Sequence, residues 1–514
     1  MTVTDIKISN ASSPSSSHLQ GNPMQTRVQE LLKQVGPGKM SDVAYDTAWV
    51  ARLGEVDREL SDRALGWLSE HQLSDGSWGA EQPFYYHDRL ISTLAAMVAL
   101  AYRGQRSHDR VQVERGLLAL ERITNDFSQG LHANEATVGF EMIAPTLVAE
   151  AREFGLIKQH EERILGPLGE QRRTKLDLFR GKKISRYISA ALSAEMAGQD
   201  GQYMLDIENL QERNGSIGHS PSATAYYVLN IKPGDERALK YLRDVTNLRG
   251  GAPDLIPFDV FEAAWVLWNF SLVDDWSKEI KILFSPLLDF LRKGWKEGVG
   301  IGFSTSYSIP DGDITSFTYK ILSHFGESPD IEAVLSFEEK DNFRTYHFES
   351  HSSPSTNIHA LSALRRAGFN LSSPPVQKIL NYLTKMRVKG AYWFDKWHLS
   401  PYYTTAHAII ALSGLADQIV SPAIDWILQT QNPNGSWGYQ LPSAEETAYC
   451  IQALKIWRQH GGKIPKDVMK NAIAWLEGNS EPPYPPLWIG KGLYIPELVV
   501  RSVILSALLI SDEG

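Results

Sequence analysis

The chain has 514 residues, 43% of them hydrophobic and 22% charged, with a formal net charge of −9. This length and balance describe a globular protein of two or three domains. An acidic sum without any Lys/Arg block excludes a nucleic-acid surface, and Cys450, the only cysteine, excludes both a disulfide framework and a Cys-rich zinc site.

The first 24 residues are Ser-, Asn- and Pro-rich and lack a basic-then-apolar signal pattern, so a disordered tail on a cytoplasmic protein is expected. The most apolar windows, Leu94 to Tyr102 and Val503 to Ile510, are too short to span a bilayer.

Two distant segments can be superimposed. Trp67 to Gly79 and Trp426 to Gly438 share Trp, Gln, Gly and Trp-Gly at the same offsets, and Leu210 to Gly218 is a degenerate third copy. Such a unit reads as a helix end followed by a glycine turn whose Trp packs back on the helix. Each turn leads into a helix rich in small residues, as in Ser220-Pro-Ser-Ala-Thr224, Ser353-Pro-Ser-Thr-Asn357, Tyr402-Tyr-Thr-Thr-Ala406 and Glu446-Thr-Ala-Tyr449. Ser and Pro at these starts suit caps and first turns. No stretch alternates like a strand with hairpin turns. The pattern predicts an all-α protein of repeated helical hairpins closed into α/α-toroids.

The blocks Val43-Ala-Tyr-Asp46-Thr-Ala-Trp49, Asp75-Gly-Ser-Trp-Gly79, Asp88-Arg-Leu-Ile-Ser-Thr93, Val138-Gly-Phe-Glu141-Met-Ile-Ala-Pro145, Asp395-Lys-Trp397 and Pro486-Leu-Trp488-Ile-Gly-Lys491 occur in the order found in class II diterpene cyclases. The chain resembles these enzymes, the copalyl-, halimadienyl- and kolavenyl-diphosphate synthases, from about residue 40 to 510. It looks most similar to the bacterial halimadienyl type, above all over Asp395 to His407. The resemblance implies two α-barrel domains in the βγ arrangement. The γ domain is expected at 60–198, inserted into a β domain formed by 25–59 plus 199–514. Val273-Asp-Asp275-Trp-Ser-Lys278 lacks the second acidic position of a diphosphate-ionising DDxxD motif, so no third, ionising domain is expected.

Class II chemistry protonates an alkene, which requires a carboxylic acid kept protonated in a dry cavity by a second carboxylate. Pro310-Asp311-Gly312-Asp313-Ile314-Thr315 resembles the family's DxDD motif and implies Asp313 as the acid with Asp311 as its partner. It departs from the motif at Ile314, where Asp or Thr is usual, while Thr315 keeps a hydroxyl one residue on. Read without the resemblance, Pro-Asp-Gly is a turn and a carboxylate there caps a helix. Family position also implies that Asn357 orients the acid, that Lys183 and Lys396 hold the substrate diphosphate, and that Glu141 is a Mg²⁺ ligand, with Lys491 a weaker candidate. Surface lysines and an ion-paired glutamate are the bland alternatives.

Aromatic faces shield and stabilise a carbocation. Trp265, Phe303, Trp393, Trp397, Tyr402, Tyr449 and Trp488 fall at the predicted barrel mouth, where core packing is the competing role. The base histidine of plant copalyl enzymes is replaced near Leu192-Ser193, which implies a longer-lived cation and a rearranged halimane or clerodane skeleton. His398, His407 and Tyr403 are alternative bases. The expected activity is cyclisation of geranylgeranyl diphosphate with Mg²⁺ and retention of the diphosphate, which a downstream diterpene synthase or phosphatase then uses. Farnesyl diphosphate cyclisation and a non-catalytic binding toroid are the alternatives.

Overall fold

The computed structural model describes residues 23–103, 107–126, 137–157, 164–347, 349 and 351–512. The N-terminal tail foreseen for residues 1–24 lies outside them except at its end, where helix Pro23–Leu32 begins two residues earlier than expected.

Six helices form a closed ring in which each contacts the next: Asp259–Phe270, Gly312–His324, Pro354–Arg366, Pro401–Leu412, Ala444–Gln459 and Glu497–Asp512, which returns to the first. An outer layer packs on them, comprising Lys278–Gly294, Pro374–Met386, Asp417–Gln429, Lys466–Gly478 and Pro23–Leu32. The division follows composition. Pro401–Leu412 is buried at every position, whereas Lys278–Gly294 buries only Ile280, Phe284 and Leu291. Small residues on the inner helices allow the ring to close.

A second ring consists of Ala44–Ala51, Tyr86–Arg103, Phe140–Glu153, the 3-10 segment Ser189–Ala197 and Pro221–Asn230, which closes on Ala44–Ala51. Each ring has its own apolar core. One draws on residues 28–43 and 258–510, the other on residues 44–252. The boundaries therefore differ from the predicted ones. Residues 44–59 and 199–252, assigned beforehand to the β domain, pack in the inserted unit because their buried faces carry Trp49, Tyr226 and Leu242 into that core.

The repeated turn has one geometry throughout. Trp78, Trp393 and Trp437 each donate their indole N–H to a carbonyl ten residues back, those of Leu68, Leu383 and Ile427, all at 2.8 Å. Their backbone N–H groups donate to the hydroxyls of Thr93, Thr405 and Thr447 on the following helix. The same backbone-to-threonine bond recurs at Ile217–Thr224 and Ile301–Thr315, where no Trp is present. Gln72, Gln211 and Gln431 bridge the turn glycine carbonyl to a neighbouring helix or its cap. The inner helices start at Ser220, Ser353, Ser400 and Ser443, each hydroxyl capping a backbone N–H.

Among the described residues, the only paired strands are Trp488–Ile489 and Leu493–Tyr494, a short hairpin between the two units. No described helix is long and apolar enough to cross a membrane.

Candidate active site

Asp311 caps helix Gly312–His324, with Oδ1 accepting from the Ile314 N–H at 2.6 Å and Oδ2 accepting from the Tyr346 hydroxyl at 2.9 Å. Gly312 is required here, since a Cβ would lie 2.3 Å from the Arg344 carbonyl oxygen. Burial and then the neighbouring Asp313 push the Asp311 carboxyl well above the ordinary range.

Asp313 is 8% exposed and faces the cavity. Its Oδ1 lies 2.6 Å from His359 Nδ1, and His359 Nε2 lies 2.8 Å from His407 Nδ1. Asn357 is not the partner of Asp313. Its amide bonds to the backbone of Phe343 and Ser353 instead. Two residues apart on a helix are turned by about 200°, so with Asn357 facing Phe343, His359 is the side chain that reaches the acid. Thr315 does not replace the missing polar group after the acid, because its hydroxyl closes the repeated turn at Ile301. Ile314 adds an apolar wall to the cavity.

That cavity is almost wholly apolar. Its aromatic lining consists of Trp265, Phe303, Trp397 and Trp488 together with Phe258, Phe261, Tyr346, Tyr403 and Tyr494. Trp393, Tyr402 and Tyr449 are not among its lining residues. Trp393 is the indole of a structural turn, Tyr402 stacks on Trp426 at 4.7 Å, and Tyr449 donates to Glu445. Of the alternative bases, Tyr403 lines the cavity; His398 is buried against Glu445 and Tyr403, and His407 stacks on Trp268.

Asp254 was not foreseen. It lines the cavity, burial raises its pKa, and its Oδ1 is buried with no hydrogen-bond partner. Beside it Lys491 is fully buried, bonded to Glu195, Ser220, Ser222 and the Leu192 carbonyl. Burial pushes the nearby Asp46 up to about 7. Leu192 also lines the cavity.

A second, larger cavity shares Val138, Leu192, Tyr346 and Trp397 with the first. Its polar lining includes Glu141, Lys175, Glu349, His351 and Lys396. Lys396 Nζ lies 2.6 Å from Glu349 Oε2 and 2.7 Å from the His351 carbonyl oxygen. Burial lowers the pKa of Lys175, with Glu141 opposing. Lys183 is exposed and lines neither cavity, and Lys175, on helix Gly169–Leu178, supplies the cation from that unit.

A double-ring helical protein with a paired carboxylate at a dry aromatic cavity has the architecture of a protonation-initiated terpene cyclase. Residues 350–459 match the squalene-hopene cyclase C-terminal domain family. The chain is 51% identical to the type B diterpene cyclase of Mycobacterium tuberculosis, over 92% of its own length and 96% of that protein. Its structure resembles the ent-copalyl diphosphate synthase from Streptomyces platensis, with a TM-score of 0.77 and 26% identity over 95% of this chain and 99% of that one. The ent-copalyl diphosphate synthase of Arabidopsis thaliana, 23% identical with a TM-score of 0.65, shares the fold over 95% of this chain and 63% of its own. The chain belongs to the class II diterpene cyclases.

Proposed function

We propose that this cyclase converts geranylgeranyl diphosphate into a rearranged bicyclic diterpene diphosphate of the halimadienyl or kolavenyl type, leaving the diphosphate in place. The observation that carries this is the junction of the two cavities: Asp313 faces an apolar, aromatic-walled space whose rim residues Tyr346 and Trp397 also border the lysine-bearing space. The apolar space would take the prenyl chain and the lysine-bearing space its diphosphate.

Asp313 gives its proton to the terminal alkene carbon, the π electrons forming the new C–H bond. His359, bonded to its Oδ1, stabilises the carboxylate left behind. Aromatic faces, worth about 0.5–2 kcal/mol each when desolvated, carry the cation through ring closure. Leu192 offers no base beside the cation, which supports hydride and methyl shifts before loss of the last proton. Asp254 takes that proton on its unpartnered oxygen.

Lys175 and Lys396 hold the diphosphate as point charges. Among the described residues no cluster of three or more His, Cys, Asp or Glu could by itself hold a metal. Mg²⁺ typically takes one or two carboxylates together with substrate phosphates, and Glu141 with Glu349 fits that role. The ion would neutralise diphosphate charge. A product that keeps its diphosphate needs a downstream diterpene synthase or phosphatase.

Incubation of the purified protein with Mg²⁺ and either geranylgeranyl or farnesyl diphosphate tests the proposal. Dephosphorylated products are then identified by gas chromatography–mass spectrometry and NMR. A rearranged bicyclic C20 alcohol absent from Asp313→Asn supports it. A drimane product only from the farnesyl substrate, or an unrearranged labdane, contradicts it.

A further inference from the structure

Each turnover leaves Asp313 as a carboxylate and deposits the last proton elsewhere, so the acid must be reloaded. The side chains behind it form an unbroken line. Asp313 Oδ1, His359 Nδ1, His359 Nε2 and His407 Nδ1 are joined by contacts of 2.6 and 2.8 Å, all buried. At the end of the line His407 Nε2 is buried without a hydrogen-bond partner. We propose that His407 is a positioning residue that fixes the tautomer of His359, and that the two imidazoles together relay the proton that recharges Asp313. This rests on the assignment of Asp313 as the proton donor.

The bonding permits two states. With Asp313 ionised, His359 donates Nδ1–H to the carboxylate, and His407 donates Nδ1–H to His359 Nε2. With Asp313 protonated, its O–H donates to His359 Nδ1, and His359 donates Nε2–H to His407 Nδ1. One proton from water taken up at His407 Nε2 converts the first state to the second. The His407 Nδ1 proton passes to His359 Nε2, and the His359 Nδ1 proton passes to Asp313. Neither ring gains net charge, which a dry site requires.

The surroundings favour a neutral His407. Burial, then the adjoining His359, Lys320 and His398, hold its pKa well below the ordinary value. Trp268 lies flat on its ring at 4.4 Å, with the Lys320 ammonium 5.5 Å from that indole. Tyr403 on its own helix and Tyr449 on the next helix pack against it. Glu445, the carboxylate on that side, accepts from Tyr449, His398 and Trp488. Among the described residues no carboxylate is bonded to His407 to hold it as an imidazolium.

Nitrogen-15 NMR of the full chain labelled at histidine reads ring protonation directly and does not depend on turnover. As pH falls, the His359 and His407 rings should exchange Nδ1–H for Nε2–H together in one step. Independent tautomers, or a doubly protonated His359, overturn the proposal. In kinetics with geranylgeranyl diphosphate, His407→Phe should lower kcat about ten- to a hundredfold with KM unchanged, the range for partners that orient a reacting group. His407→Asn, whose amide can bond His359 Nε2 but cannot pass a proton on, should leave kcat as low, and a restored kcat overturns the relay. An unchanged kcat in His407→Phe overturns the relay. A wild-type protein inactive on every prenyl diphosphate overturns the function instead, with the NMR titration still deciding the histidine pair.

Discussion

Ser308, two residues before Pro310-Asp311, donates its hydroxyl to Glu212 of the other unit at 2.6 Å, and its backbone N–H points to the same carboxylate at 3.4 Å. The turn that presents the acid is thus tied to the inserted ring. A hydrogen bond to a charged group contributes about 1.5–3 kcal/mol. Ser308→Ala should lower the unfolding free energy by that amount and reduce kcat more than KM, as checked by denaturant unfolding and steady-state kinetics.

Lys175 and Lys183 separate the two accounts of the diphosphate site. Lys175 lines the polar cavity, and Lys183 is solvent-exposed. Lys175→Ala should raise KM for the prenyl diphosphate about tenfold or more, while Lys183→Ala should leave it within twofold, since an exposed charge contributes little. Substrate titration of both variants checks this. The reverse ranking would return the site to the family position.

Asp254→Asn keeps the size of the side chain and removes its basicity. Substrate consumption should persist, with the product mixture shifting toward isomers deprotonated at other carbons or quenched by water. Product profiling reads the shift. An unchanged profile would remove Asp254 as the final base.

His87 carries a stability slope. Burial lowers its pKa to about 3, below the ordinary value of 6.5. The folded state therefore binds fewer protons than the unfolded one between those values. Its contribution is complete above about pH 6.5 and is lost as pH falls toward 3, at about 1.4 kcal/mol per pH unit. Unfolding midpoints at pH 7 and pH 5 should differ less in His87→Phe than in the wild type. An equal difference would contradict the assignment.

Most of the fold was legible because its signals are local. The Trp-Gly turn needs only the helix before it and the threonine after it, so Trp67 to Gly79 and Trp426 to Gly438 disclosed the hairpins. The copy without Trp at Ile217 is visible as the degenerate third repeat, whereas the one at Ile301 escapes the pattern though it makes the same bond. The unit boundaries were not legible, since whether Tyr226 packs in one ring or the other depends on ring closure. At the site, Asp311 and Asp313 stand in a recognisable motif. His359 sits two residues beyond Asn357 in a stretch already singled out, and helical phase was the signal that separates them. Asp254 and Lys175 gave no signal, because their meaning comes from the cavities that distant elements enclose. Trp393, Tyr402 and Tyr449 are aromatics near the barrel mouth whose own partners turn them away from it.

The most direct test is turnover of geranylgeranyl diphosphate in deuterium oxide, with mass spectrometry of the intact product and assay of released pyrophosphate. Protonation by Asp313 predicts one deuterium on carbon in a product that still carries its diphosphate, and no such product from Asp313→Asn. A product without deuterium, formed with stoichiometric pyrophosphate release, would contradict the mechanism.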